Sequence, residues 1–290
     1  MKSVFFLWIS LAFMVSSCIK NNPAPSWIEI KEWQLVSNPN SASSAGELRH
    51  NITDVQVVIN NKFIGIFEVP CKVPVLTSGE SIIRLLPVIR NNGISATKKV
   101  YPFLEPYELD TLLVKNGTIS INPSTRYFEN LDFWIEDFEN ATSAITQDQG
   151  SAITIDQVSD PLIADMFSGN KFGRISLNQA NDFWIGYTDD QTLVLPKGQD
   201  VYMEIDFHNT NRIKTGLLAI GPNGIKENPN IQLNTQDEAE VVWKKVYIDL
   251  REIVSSSQDA EYFELTFEAI LDESDVTGVV NLDNIKLIHF

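Results

Sequence analysis

Val201-Tyr202-Met203-Glu204-Ile205-Asp206-Phe207 alternates without a break. In an extended chain Val201, Met203, Ile205 and Phe207 share one face, and Tyr202, Glu204 and Asp206 share the other. A period of two marks a strand that is half buried in an antiparallel sheet. Residues 262–271 repeat the pattern, with Phe263, Leu265, Phe267, Ala269 and Leu271 on the inner face. Such strands recur through residues 127–290, and that region reads as an all-β sandwich. Only residues 250–254 suggest a turn of helix.

Four blocks run through this half in order. They are Glu136-Asp137-Phe138-Glu139, Ser168-Gly169-Asn170-Lys171-Phe172-Gly173, Trp243-Lys244-Lys245-Val246-Tyr247 and Val280-Asn281-Leu282-Asp283-Asn284-Ile285. Together they resemble the galactose-binding-like jelly roll that many carbohydrate-binding modules share. The resemblance speaks to fold more than to ligand, because one fold serves many ends. It also implies a structural calcium ion. Its ligands would be the acidic residue of the opening strand, the aspartate of the closing strand and carbonyls near the Gly-Lys loop. Glu139 and Asp283 stand at the two acidic places. Calcium takes about six to eight oxygens, most of which carbonyls can supply. A local sign agrees: Val280 and Leu282 set one alternation, while Ile285 and Leu287 set the other. That one-residue slip predicts a bulge at Asp283-Asn284.

A sugar site on such a fold uses exposed aromatic rings with polar neighbours. Asn181-Asp182-Phe183-Trp184-Ile185-Gly186-Tyr187-Thr188 offers Trp184 and Tyr187 as ligand-binding candidates. Three residues apart on a flat strand, the two face opposite sides, so one of them belongs to the core. Trp134 and Trp243 carry the same ambiguity.

Residues 27–126 read as a separate β-sandwich. Asp54-Val55-Gln56-Val57-Val58-Ile59 alternates, Asn60-Asn61 turns, and Lys62-Phe63-Ile64-Gly65-Ile66-Phe67-Glu68 returns. Two residues that tolerate left-handed angles between β-rich runs mark a hairpin. Further strands are expected over residues 81–86, 95–103 and 118–121. Pro70, Pro74, Pro87, Pro102 and Pro106 suit the edges and loops of such a sandwich. The order of the Asn-Asn hairpin, Phe67-Glu68-Val69-Pro70, the Gly79 turn and Asn92-Gly93-Ile94 resembles the Ig-like or transthyretin-like modules of Bacteroidota lipoproteins. That implies a spacer or a docking surface. Asp110-Thr111-Leu112 resembles the three-residue O-glycosylation site of secreted Bacteroidota proteins, with Thr111 as the modified residue. His50, in a loop beside Asn51, is expected to be solvated.

At the start of the chain, Lys2 precedes a run at residues 4–15 that is apolar except for Ser10. Ser16-Ser17-Cys18 follows. Residues 1–17 read as a signal peptide, too short for a membrane span of about 20 residues. Val15-Ser16-Ser17-Cys18 resembles the lipobox of type II signal peptides. The resemblance implies cleavage before Cys18, a diacylglyceryl thioether on its sulfur and a fatty acyl group such as palmitate on its amine. Several chains anchor firmly where one holds only marginally. Residues 18–26 are polar and proline-bearing, a short extended tether. Ile19 is not the aspartate of an inner-membrane retention signal, and the tether lacks the acidic run of a surface-export signal. The outer membrane is therefore expected, with the periplasmic or surface-facing leaflet left open.

The net charge of −16 argues against direct binding to nucleic acid or anionic phospholipid. With Cys18 lipidated only Cys71 remains, so no disulfide is expected within the chain. His50, His208 and His289 are scattered, and His208 reads as a solvated neighbour of Asp206. There is no Gly-x-Ser-x-Gly, no His-Glu-x-x-His and no phosphate loop. The chain is thus expected to be an all-β, non-enzymatic lipoprotein of the Bacteroidota cell envelope, an N-terminal β-sandwich followed by a C-terminal jelly roll. The jelly roll would bind glycan; the alternative is an accessory or docking subunit of an outer-membrane protein complex.

Overall fold

The computed structural model describes residues 23–160, 169, 171–188 and 193–290. Its first half contains ten strands. They are β1 (Ser26–Ile30), β2 (Gln34–Leu35), β3 (Asp54–Ile59), β4 (Lys62–Glu68), β5 (Cys71–Val75), β6 (Gly79–Arg90), β7 (Lys98–Val100), β8 (Tyr107–Leu113), β9 (Thr118–Ile121) and β10 (Ser124–Thr125). The hairpin between β3 and β4 forms as expected. Asn60 and Asn61 take φ of 50° and 62°, the paired left-handed angles whose twist matches the flanking strands.

One sheet has the order β5-β1-β9, with β1 and β9 parallel. The other runs β4-β3-β6, and both β7 and β8 pair along the remaining edge of β6. β2 and β10 form a separate parallel pair. Ile28, Ile30, Val73 and Val75 from the first sheet are buried in one core with Val55, Val57, Ile83 and Leu85 from the second. The structure lengthens one expected strand and shortens another. β6 continues through Pro87 because that residue lies between the end of the β8 pairing at Leu85 and the start of the β7 pairing at Val88. A missing N–H does no harm at that handover.

The second half contains β11 (Asp132–Glu136), β12 (Ile145–Gln147), β13 (Asp156–Val158), β14 (Phe172–Asn178), β15 (Phe183–Thr188), β16 (Val201–Asn209), β17 (Ile213–Gly221), β18 (Gly224–Leu233), β19 (Lys244–Asp249), the single-turn helix α1 (Arg251–Ser256), β20 (Tyr262–Ile270) and β21 (Thr277–His289). A six-stranded sheet has the order β13-β14-β21-β16-β19, with β11 also on β21. A five-stranded sheet has the order β12-β15-β20-β17-β18. Met203, Ile205, Leu217, Leu265, Phe267 and Leu282 are in the core between them. The fold is all-β, two sandwiches in series.

The opening stretch departs from its expected half-burial: every residue from Val201 to Phe207 is buried. The first sandwich covers the outer face of the six-stranded sheet. Tyr202, Tyr247 and Ile288 belong to the same buried cluster as Tyr101, Phe103 and Tyr127. Tyr101 meets Tyr202 edge-on with ring centroids 5.3 Å apart, and lies 4.9 Å from the ring of Tyr247. Such aromatic pairs add to the stabilisation from burial.

Glu204 sits inside this aromatic layer, fully buried. One carboxylate oxygen accepts from the Tyr101 hydroxyl at 2.7 Å and from the Tyr127 hydroxyl at 2.8 Å. The other lies 3.0 Å from Lys245 Nζ. Burial alone would raise the Glu204 pKa, but Lys245, Lys286 and the two hydroxyls hold it below the ordinary value. Asp206, beside it, is 3.7 Å from Lys245 and 3.9 Å from Arg49, and burial pushes its carboxyl up. The Asn51 backbone N–H donates to Tyr247 Oη at 2.9 Å, and its side chain donates to the Lys245 carbonyl at 2.9 Å. Further along the same edge of β19, the Asn92 N–H donates to the Tyr247 carbonyl at 2.8 Å. The two sandwiches are joined by ion pairs, hydrogen bonds and shared core.

Removing one partner of a buried ion pair leaves the other charge uncompensated, at a cost of about 3–5 kcal/mol. Lys245→Met should therefore lower the urea-unfolding free energy by about that amount, and adding Glu204→Gln should restore part of it. A loss below about 1 kcal/mol for the single variant would place the pair among surface ion pairs.

Candidate functional site

With the six-stranded sheet covered by the first sandwich, the outer face of the five-stranded sheet is the open one. β15 settles the ambiguity between its two aromatics. Trp184 is fully buried, while Phe183 and Ile185 are exposed and Tyr187 is half-exposed on the outer side. Gly186 explains the division. A Cβ there would lie 2.3 Å from the Trp184 ring, so the indole folds across a slot that only glycine leaves open. Trp184 is thus corrected from candidate platform to core residue, and Tyr187 is left at the surface.

The strand register lines up the outer side chains in rows. Tyr187 is opposite Thr266, Thr266 is opposite Gly216, and Gly216 is opposite Pro229. In the next row Ile185, Glu268, Lys214 and Gln232 follow one another. Lys214 Nζ lies 2.6 Å from Glu268 Oε1. Gly216 forms a bare floor: a Cβ there would come within 2.6 Å of Thr266 Oγ1 and 3.0 Å of the Asn228 carbonyl. Tyr187, Ile185, Thr266, Gly216, Lys214 and Glu268 line a groove of about 770 Å³, with Glu264 and Glu227 along it. That volume is within the range of small-molecule sites. The alternation of β20 already separated its inner face from this one, but the pairing that sets Lys214, Gly216 and Thr266 beside Tyr187 is not visible in any single strand.

The expected bulge in β21 is present. β14 pairs with β21 as far as Leu282, and β11 takes over from Ile285. Between them β21 carries one residue more than β16, and Asn284 takes φ of 46°. Asp283 is 3% exposed, and its Oδ1 accepts from the Asn284 N–H at 2.7 Å. Burial, with Asp206, Asp137 and Glu139 nearby, pushes its carboxyl up to about 8. Glu139 Oε1 accepts from the Lys171 N–H at 2.7 Å, and a Cβ on Gly169 would reach within 2.7 Å of the same oxygen. The Gly-Lys loop thus closes against Glu139, although Ser168 and Asn170 lie outside the described residues. Asp137, which the sequence reading did not single out, joins the two expected acids. Phe138 at φ of 57° turns the backbone between Asp137 and Glu139.

Among the described residues, no three His, Cys, Asp or Glu side chains gather closely enough to hold a metal by themselves. A cation at Asp283 would draw its remaining ligands from backbone carbonyls. A buried carboxylate crowded by other acids suits that role, since a divalent cation relieves both its desolvation and its like-charge neighbours.

Three other expectations have definite outcomes. Cys18 lies outside the described residues. Thr111 is half-buried on the inward side of β8, opposite in direction to Asp110 and Leu112, an orientation with less room for a bulky glycan than a loop offers. The solvated readings of the histidines and of Asp206 are corrected. Asp206 is fully buried, His208 is partly buried with its Nδ1 3.1 Å from the Asn281 amide, and burial depresses the His50 pKa.

No protein-family model and no curated protein matches the chain. Among solved structures, it is similar to a carbohydrate-binding module specific for non-crystalline cellulose, at 16% identity and a TM-score of 0.37, over 52% of this chain and 90% of that one. A xylan-binding domain of family 22 is similar at 12% identity and a TM-score of 0.36, over 53% and 92% of the two chains. A family 11 module from Clostridium thermocellum, in complex with a mixed-linked tetrasaccharide, is similar at 14% identity and a TM-score of 0.34, over 53% and 94%.

Proposed function

We propose that this chain is a non-enzymatic binding protein of the cell envelope that takes a glycan along the groove of its five-stranded sheet. One observation carries the reading. A half-exposed Tyr187 stands beside the hydrogen-bonding side chains of Thr266, Lys214 and Glu268, across a glycine floor, on the face that the first sandwich leaves open. An aromatic ring stacks on a sugar's apolar face, and charged and hydroxyl groups at its edge fix orientation. In this reading Cys18 carries the lipid that holds the protein at the outer membrane, and the first sandwich fixes the second at a distance from it. Calcium, held by Glu139 and Asp283 with backbone carbonyls, would stabilise the edge where β11 and β14 part.

A glycan-array screen of the chain from Ser26 onward tests the site. Neutral polysaccharide ligands should bind, and Tyr187→Ala should weaken binding at least tenfold while leaving the melting temperature within a few degrees. A clean negative on folded protein would reassign the chain to the docking of an outer-membrane complex. Calcium is tested separately. Adding it to chelator-treated protein should raise the melting temperature, and Asp283→Asn should abolish the rise, as ligand linkage requires. Equal melting temperatures with calcium and with chelator would remove the ion from the account.

A further inference from the structure

A second cavity, of about 540 Å³, opens where the two sandwiches meet. Residues 49–51 and the turn after β6 wall it from one side, and β19 and the end of β18 wall it from the other. Arg49, Arg90, Lys244 and Lys245 all line it, and no described Asp or Glu does. That is a marked local reversal in a chain of net charge −16.

The four cations are not equally engaged. Arg49 and Lys245 reach back to the buried acids, at 3.9 Å from Asp206 and 3.0 Å from Glu204. Among the described residues Arg90 pairs only with the exposed Glu68, at 3.6 Å, and its buried Nε has no hydrogen-bond partner there. Lys244 is exposed and makes no ion pair among the described residues. Asn92 and Asn234 stand beside these cations. The carbonyl oxygen of the Asn92 side chain accepts from the Asp249 N–H, and that of Asn234 accepts from the Gln232 side chain.

A cleft lined by one sign of charge and walled by buried protein focuses its field on a small counter-ion. Arg90 offers the planar fork that matches a carboxylate, and Lys244 adds a mobile point charge. The two side-chain amides suit hydroxyl groups. We infer that the cleft between the sandwiches binds a small carboxylated sugar of the uronic-acid class. The volume accommodates such a ligand. This site shares no lining residue with the groove of the five-stranded sheet, so the inference stands whether or not that groove binds glycan.

Titration calorimetry of the chain from Ser26 onward with glucuronate, at low ionic strength, is the test. Glucose and inorganic phosphate serve as the uncharged and sugar-free controls. Glucuronate should bind at least tenfold tighter than either, and added salt should weaken it. Arg90→Gln with Lys244→Gln should lower affinity at least tenfold. Lys244→Gln alone, which breaks no ion pair of the fold, should lower it about threefold. Tyr187→Ala should leave it unchanged. No binding of glucuronate, equal binding of glucose or phosphate, or full affinity in the double variant would each overturn the inference.

Discussion

A carboxylate cannot be left without partners inside a protein, and Glu204 is fully buried at the middle of this one. Its placement on the outer face of a sheet demands a second body to supply what water no longer can. The first sandwich supplies it, through Tyr101 and Tyr127, while β19 of the same sheet brings Lys245. Neither half satisfies the charge alone. Lys286, whose pKa burial and neighbouring Lys245 hold down to about 8, completes the cluster and donates to the Glu47 carbonyl across the interface. Buried polar contacts of this sort favour one arrangement over others, because a shifted interface leaves charges stranded.

That single docking decides where function can reside. The six-stranded sheet is buried on both faces over β16, and the rings of Tyr202 and Tyr247 are part of the first sandwich's core. In the second sandwich the five-stranded sheet stays open, with Tyr187 above its glycine floor, and the seam between the sandwiches opens on its cations. The first is a trough in which Tyr187 and Thr266 stand among the carboxylates of Glu227, Glu264 and Glu268 and the ammonium of Lys214. The second is small and positive, and suits one acidic residue. The first sandwich's loops form one wall of that cleft.

Much of this was legible in the chain, for reasons that can be named. The Asn60-Asn61 turn is local, and local chemistry determines it. The bulge at Asp283-Asn284 showed as a slip in alternation because each strand face selects its own side chains. The inner faces of β16 and β20 were readable for the same reason. The outer face of β16 was misread. Alternation shows that Glu204 and Asp206 need polar surroundings, but water and a buried lysine with two tyrosine hydroxyls meet that need equally. Only tertiary structure distinguishes them. Trp184 and Tyr187 were known to oppose each other, yet which one was buried depended on Gly186 giving the indole its slot. The groove and the cleft could not be read because each joins residues far apart in sequence, such as Tyr187 with Gly216 and Arg90 with Lys244.

Docked through the Glu204 cluster, the two sandwiches should unfold as one body. Differential scanning calorimetry of the chain from Ser26 onward tests it most directly. A single transition is expected, with calorimetric and van't Hoff enthalpies that agree, as for one cooperative unit. Two separate transitions, or a van't Hoff enthalpy near half the calorimetric value, would show that the sandwiches are independent and that the Glu204 cluster does not couple them.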